Sequence, residues 1–280
     1  SEVIVTETID ISTTICPVTA TETPAASTPI YSTVPVANVS TPVYTPVASS
    51  AIVGVSSVPA ISSSTPVASS PAVVSTPAAS SAAVTGEATY YGGNLEGGTC
   101  SFSGYTLPSN ILGTALSGQN WDTAANCGAC LAVTGPSGNS ITVMVVDECP
   151  ECAENGLDLF EGAFTDLAAA ANGTIDISWE VVECGITDPL VLRNKEGTSE
   201  YWFSIQVMNS NVPVEKLEVS VDGGSSWTEA TRTEYNYFEN SSGFGAETME
   251  VRVTSTTGST IVVSSVGVTA SAQYTATSNF

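Results

Sequence analysis

The chain has 280 residues, five basic and 28 acidic, for a formal net charge of −23, and it contains no histidine. Nucleic acid and anionic membrane surfaces bind clustered Lys and Arg, so this composition argues against both as partners. Without imidazole there is no Ser-His-Asp or Cys-His catalysis and no His-ligated metal site, which leaves carboxylates, hydroxyls and backbone to carry any chemistry.

The chain begins at Ser1, with neither a methionine nor an apolar signal core, and reads as a mature form whose secretion signal has been removed. Residues 4–16 alternate weakly and end at Cys16, to which the pattern assigns no role. Residues 17–85 are rich in Pro, Ser, Thr, Ala and Val, with an imperfect repeat at Thr23-Pro24-Ala25-Ala26-Ser27, Thr45-Pro46-Val47-Ala48-Ser49, Thr65-Pro66-Val67-Ala68-Ser69 and Thr76-Pro77-Ala78-Ala79-Ser80. Recurrent proline forbids a helix or central strand, and few large side chains are available for a core. Such a segment reads as an extended, O-glycosylated stalk.

From Gly86 the composition changes. Residues 87–91, 129–134 and 140–147 read as strands, the last two joined by the turn Gly135-Pro136-Ser137-Gly138. Phe160, Phe164, Leu167, Ala168 and Ala171 recur at helical spacing and predict a helix that Asn172-Gly173 stops. Residues 174–184 form another strand, with Ile175, Ile177, Trp179 and Val181 alternating. One helix among many strands suits a small barrel. After Asp188-Pro189, residues 201–208, 216–221, 249–254 and 259–263 are strand-like, with Asp222-Gly223-Gly224 and Thr257-Gly258 as turns. That pattern predicts an antiparallel sandwich.

The cysteines allow two readings. Cys127-x2-Cys130 and Cys149-x2-Cys152 match the spacing of a four-cysteine zinc ribbon. Against it, the stalk implies an oxidising secreted compartment, Cys100 and Cys184 complete an even set of six, and sequons stand at Asn38, Asn172 and Asn240. Disulfides are therefore expected, with fifteen connectivities open for six cysteines, and Cys16 is left over.

Between Gly86 and Thr187 there are thirteen Asp and Glu residues and no Lys or Arg. Mutual repulsion should raise some of these carboxyl pKa values. Asp147 ends the apolar run Val143-Met144-Val145-Val146, so its side chain should emerge at a rim. Asp158 precedes Phe160 and its helix, with Glu161 three residues on, which as a local pattern is a helix N-cap. Glu148, Glu151 and Glu154 are candidate bases by proximity in sequence alone, and read first as solvated loop charges. In Tyr201-Trp202-Phe203-Ser204-Ile205-Gln206-Val207, period two buries Phe203, Ile205 and Val207 and exposes Trp202 with Ser204 and Gln206. Tyr201 is exposed only if the strand starts after it. Trp121, Trp179 and Trp227 read as core or turn residues.

Several of these segments together resemble the expansins and their swollenin and loosenin relatives. The motifs are Gly86-Glu87-Ala88-Thr89-Tyr90-Tyr91, Cys127-Gly128-Ala129-Cys130, Val143 to Cys152, Gly156-Leu157-Asp158-Leu159 with Ala163-Phe164, and Tyr201-Trp202, in family order over residues 86–280. The resemblance implies a mainly β chain: a double-psi β-barrel over residues 86–187 and an immunoglobulin-like carbohydrate-binding sandwich over 188–280, preceded by the stalk at 1–85. It implies Asp158 and Asp147 as activity-essential groove residues, with Thr89, Tyr91 and Glu151 lining the groove. A platform of Tyr201, Trp202 and Tyr235, with Lys195 beside it, would stack on sugar rings. It pairs Cys100 with Cys127, Cys130 with Cys184 and Cys149 with Cys152. Where some bacterial members carry an aromatic two residues after the first Asp, this chain has Cys149, which puts one sugar contact in doubt.

The implied function is a secreted monomer, fungal by its stalk, that needs neither cofactor nor metal. It would bind cell-wall cellulose, xyloglucan or another β-glucan, or chitin, and loosen it without hydrolysis. The alternatives are a weak endoglucanase with Asp158 as general acid, and a structural component of the producer's own wall. The charge carries its own test. Like charges repel at low ionic strength, so retention on polygalacturonate in a pull-down should fall below retention on cellulose, and tighter binding to the acidic polymer would contradict this.

Overall fold

The computed structural model describes residues 82–280; the stalk repeats, Cys16 and the sequon at Asn38 lie outside the described residues. The fold is mainly β, a barrel followed by a sandwich.

Strands β1 (Val84–Tyr91), β2 (Leu112–Ser117), β3 (Cys130–Thr134), β4 (Ser140–Cys149), β5 (Leu157–Phe160) and β6 (Ile175–Val182) close the barrel in the order β1-β5-β2-β4-β3-β6. The β1–β5 and β2–β4 pairs are parallel and the other four contacts antiparallel. Side chains alternate between the two faces of each strand. Leu157 and Leu159 of β5 enter the core, where both are buried, while Asp158 and Phe160 face outward and stay half-buried.

Helix α1 (Glu161–Leu167) seals the barrel with Ala163, Phe164 and Leu167, and the Phe164 ring lies 4.7 Å from that of Tyr90. It is shorter than its periodicity predicts. Ala168 is extended and a separate 3-10 turn, Ala170–Asn172, follows, because the alanine run has no large side chain to hold another turn on the core. The N-cap reading of Asp158 is also corrected: the cap position is Phe160, which makes no side-chain capping bond, and Asp158 sits inside β5.

The second half contains β7 (Val191–Asn194), β8 (Phe203–Met208), β9 (Val214–Ser220), β10 (Thr228–Arg232), β11 (Phe238–Asn240), β12 (Thr248–Ser255), β13 (Thr260–Gly267) and β14 (Gln273–Thr275). They form one antiparallel sheet in the order β13-β12-β9-β10-β11-β8-β7-β14. Strand β10 pairs with both β9 and β11 and is the corner at which the sheet turns onto its second layer. Leu192, Phe203, Ile205 and Val207 from one layer pack with Leu217, Val219, Val251 and Val253 from the other.

The outer face of β8 is not solvent-exposed, contrary to the alternation argument. Ser204 and Gln206 are fully buried, Ser204 donating its hydroxyl to Glu239 at 2.9 Å and Gln206 reaching the barrel. The Gln206 side-chain amide and that of Asn236 both donate to the Cys100 carbonyl, at 2.8 and 3.1 Å. Trp121 donates its indole N–H to the Glu234 carbonyl at 3.1 Å, and Arg193 donates to the Ser103 carbonyl. Trp121 is accordingly buried, at 4% exposure.

Disulfides join Cys100 to Cys127, Cys130 to Cys184 and Cys149 to Cys152, across separations of 27, 54 and 3 residues. All six cysteines of the barrel are thereby joined in three pairs. If the bonds act mainly by constraining the unfolded chain, the widest loop matters most. Replacing Cys130 and Cys184 together by alanine should cost about 4 kcal/mol in urea unfolding, and replacing Cys149 and Cys152 about 2 kcal/mol. The reverse ranking would contradict that account.

Candidate functional site

One row of side chains crosses four neighbouring strands on the outside of the barrel. Thr89 of β1 is in register with Asp158 of β5, Asp158 with Ala115 of β2, and Ala115 with Asp147 of β4. A register shift between Thr114 and Ala115 brings Asp147 into that row. Ala115, small and buried, stands between the two carboxylates in that row.

The two acids are held differently. The Thr89 hydroxyl donates to Oδ1 of Asp158 at 2.6 Å. Among the described residues, Oδ2 of Asp158 receives no hydrogen bond. Burial raises the Asp158 pKa above the usual aspartate value; the Thr89 hydrogen bond pulls it down, and the charges of Glu151 and Asp147 push it up again. The net shift is upward.

Asp147 is not the free rim group the sequence predicts, because β4 continues two residues past it to Cys149. Its Oδ1 accepts from the backbone N–H groups of Thr99 and Glu148, at 2.7 and 2.9 Å, and its Oδ2 accepts from the Tyr91 hydroxyl at 3.4 Å. Asp147 thus fastens the loop around Thr99 to the carboxylate row. The Tyr91 phenol is held well above its usual pKa by burial and by the charges of Asp147 and Asp158. Glu151 is exposed, and of Glu148, Glu151 and Glu154 it alone acts electrostatically on Asp158.

A second cluster lies on the sandwich. Strand β8 begins at Phe203, so Tyr201 and Trp202 belong to the preceding turn, closed by the Ser199 N–H donating to the Trp202 carbonyl at 2.8 Å. Tyr201 stands at its tip with 74% exposure, and Trp202 is half-buried. Gly243, at φ +62°, packs against this turn, where a Cβ would come within 2.0 Å of the Glu200 carbonyl oxygen. Tyr235 is 36% exposed. The Lys195 ammonium sits 4.3 Å from the Tyr235 ring centre and 4.9 Å from that of Tyr237. The Tyr235 hydroxyl donates to Glu239 at 2.8 Å. Trp202, expected to be exposed, is half-buried; Tyr201 is exposed because the strand starts after it, the condition that its exposure required.

A closed six-stranded barrel with a carboxylate row, joined to an antiparallel sandwich with exposed tyrosines, defines a specific class, and comparison with known proteins agrees. The Barwin family profile matches residues 112–184. Expansin-YoaJ of Bacillus subtilis is 37% identical over 180 residues, which cover 63% of this chain and 75% of that protein. Expansin-like protein 5 of Dictyostelium discoideum is 31% identical over 201 residues, covering 69% and 83%. The apo crystal structure of a Clavibacter michiganensis expansin superposes with a TM-score of 0.63 at 31% identity, over 70% of this chain and 97% of that one. A variant of that expansin crystallised in complex with cellohexaose matches equally well. The chain belongs to the expansin family.

The raised Asp158 pKa has a signed consequence for stability. An acid that holds its proton more tightly when folded makes the fold less stable as pH rises from the ordinary aspartate value, about 3.9, through the raised one. Asp158→Asn removes that penalty and keeps an oxygen for the Thr89 hydroxyl. The variant's thermal midpoint relative to the parent should therefore climb as pH rises through mildly acidic values. A gap that shrinks over the same range would reverse the assignment.

Proposed function

We propose that this protein is secreted, binds a neutral cell-wall β-glucan in the barrel groove and through the sandwich tyrosines, and loosens contacts between polymers without cutting them. In this reading the barrel grips the chain, residues 188–280 dock on the polysaccharide surface and the segment before β1 acts as a spacer; the barrel starts at Val84 rather than Gly86, because Val84 and Thr85 already pair with Trp179 and Ser178 of β6. Three disulfides support an oxidising compartment. The Clavibacter expansin complex with cellohexaose supports a β-glucan ligand.

The single observation that carries the proposal is the unequal treatment of the two acids. Asp158 keeps one carboxyl oxygen open and holds its proton to higher pH than an ordinary aspartate, so it is the acid placed to donate to a glucan hydroxyl or bridging oxygen. Inverting hydrolysis also needs a second carboxylate free to activate water. Asp147 is engaged by two amides and a phenol, which suits positioning rather than general-base work. Hydrogen bonding by Asp158 without a partner base disrupts contacts between glucan chains and leaves the glycosidic bond intact.

The experiment pairs paper-weakening or wall-extension assays with reducing-end measurement. The parent should loosen without releasing soluble sugar, more strongly at mildly acidic pH, and Asp158→Asn should lose loosening while staying on cellulose. Steady oligosaccharide release by the parent, abolished in Asp158→Asn, would instead make it a weak endoglucanase, with exposed Glu151 the base to examine. Tyr201→Ala should weaken cellulose retention by roughly 1–3 kcal/mol, the scale of one aromatic anchor. Retention equal to the parent's would remove Tyr201 from the platform.

A further inference from the structure

Beside the carboxylate row, Tyr91 meets a second ring, Phe160, that the groove reading leaves unused. Phe160 follows Asp158 by two positions on β5, so both project from the same outward face, about 7 Å apart along the strand. Tyr91 is in register with Phe160, as Thr89 is with Asp158. The two rings meet edge to face at 5.6 Å, and Phe160 is half-buried.

Two glycines make this arrangement possible. A Cβ at Gly113, on the neighbouring strand β2, would come within 2.4 Å of the tip of the Phe160 ring. A Cβ at Gly93 would come within 2.4 Å of both the Phe160 and Tyr91 rings. Phe160 therefore lies against bare backbone, and Tyr91 crosses beside it to reach Asp147 with its hydroxyl. The result is an apolar surface next to the open oxygen of Asp158, bordered by carboxylates.

We propose that Phe160, with Tyr91 at its edge, is a sugar-stacking subsite of the barrel, taking the apolar face of the neutral sugar ring adjacent to the one that meets Asp158. Aromatic rings receive the C–H face of a pyranose, and the bordering acids disfavour a uronate in its place. Cys149, bonded to Cys152, offers no ring on the β4 side. Phe160 supplies one from β5. This subsite rests on the β-glucan reading above.

The test uses the full chain with the sandwich platform disabled by Tyr201→Ala and Trp202→Ala, titrated with cellohexaose by calorimetry. In that background Phe160→Ala should lower affinity about tenfold, the scale of one ring contact. Phe160→Leu refills the volume without a ring face; it should keep the thermal midpoint and still lose affinity severalfold. Leucine binding as well as phenylalanine would make Phe160 a mere filler and overturn the subsite. Absence of cellohexaose binding in the platform-less background with Phe160 intact would also overturn it, while parent retention on cellulose would leave the proposed function standing. A Phe160-dependent affinity in a parent that fails to loosen paper would uphold the subsite and sink the loosening proposal.

Discussion

The parallel pairing of β1 with β5 is the constraint on which the groove depends. It places Thr89 against Asp158 across 69 residues of sequence and lets the hydroxyl hold one carboxyl oxygen at 2.6 Å. The same pairing puts Tyr91 against Phe160 and so builds the apolar surface beside the acid. Parallel neighbours need a long crossover, and the barrel uses it to carry β2, β3 and β4, which bring Ala115 and Asp147 into the same row.

Charge is divided between the two halves to match. Every basic residue lies at or beyond Arg193, and four are committed to protein oxygens. Arg193 holds the Ser103 carbonyl, Arg232 the Val214 carbonyl, and Lys216 and Arg252 share Glu218. Lys195 instead faces the rings of Tyr235 and Tyr237, in the proposed sugar platform. The barrel acids thus meet no cation of their own half, and burial among like charges moves Asp158 towards keeping its proton.

Most of the fold was legible where strands are β-branched and alternate. β4 and β6 were read almost to their ends, whereas β2 was missed because Leu112-Gly113-Thr114-Ala115-Leu116-Ser117 is short, small and lacks that pattern. β5 was absorbed into the helix it precedes, although Leu157 and Leu159 already alternate with Asp158. That misreading made Asp158 look like a cap and hid Phe160 on the groove face. The signal for Phe160 was its two-residue spacing from Asp158. Period two names the face opposite Phe203 correctly, but it cannot tell that this face is buried along β8, where Gln206 reaches the barrel and Ser204 meets Glu239.

The central claim is that a protonated Asp158, tuned by Thr89, acts on the glucan. Thr89→Val deletes the hydrogen bond that lowers the Asp158 pKa, while conserving the shape of the side chain. The direct measurement is the pH profile of wall extension for parent and Thr89→Val. The account predicts that the variant's loosening persists to higher pH than the parent's. A profile that stays in place or moves to lower pH would contradict it.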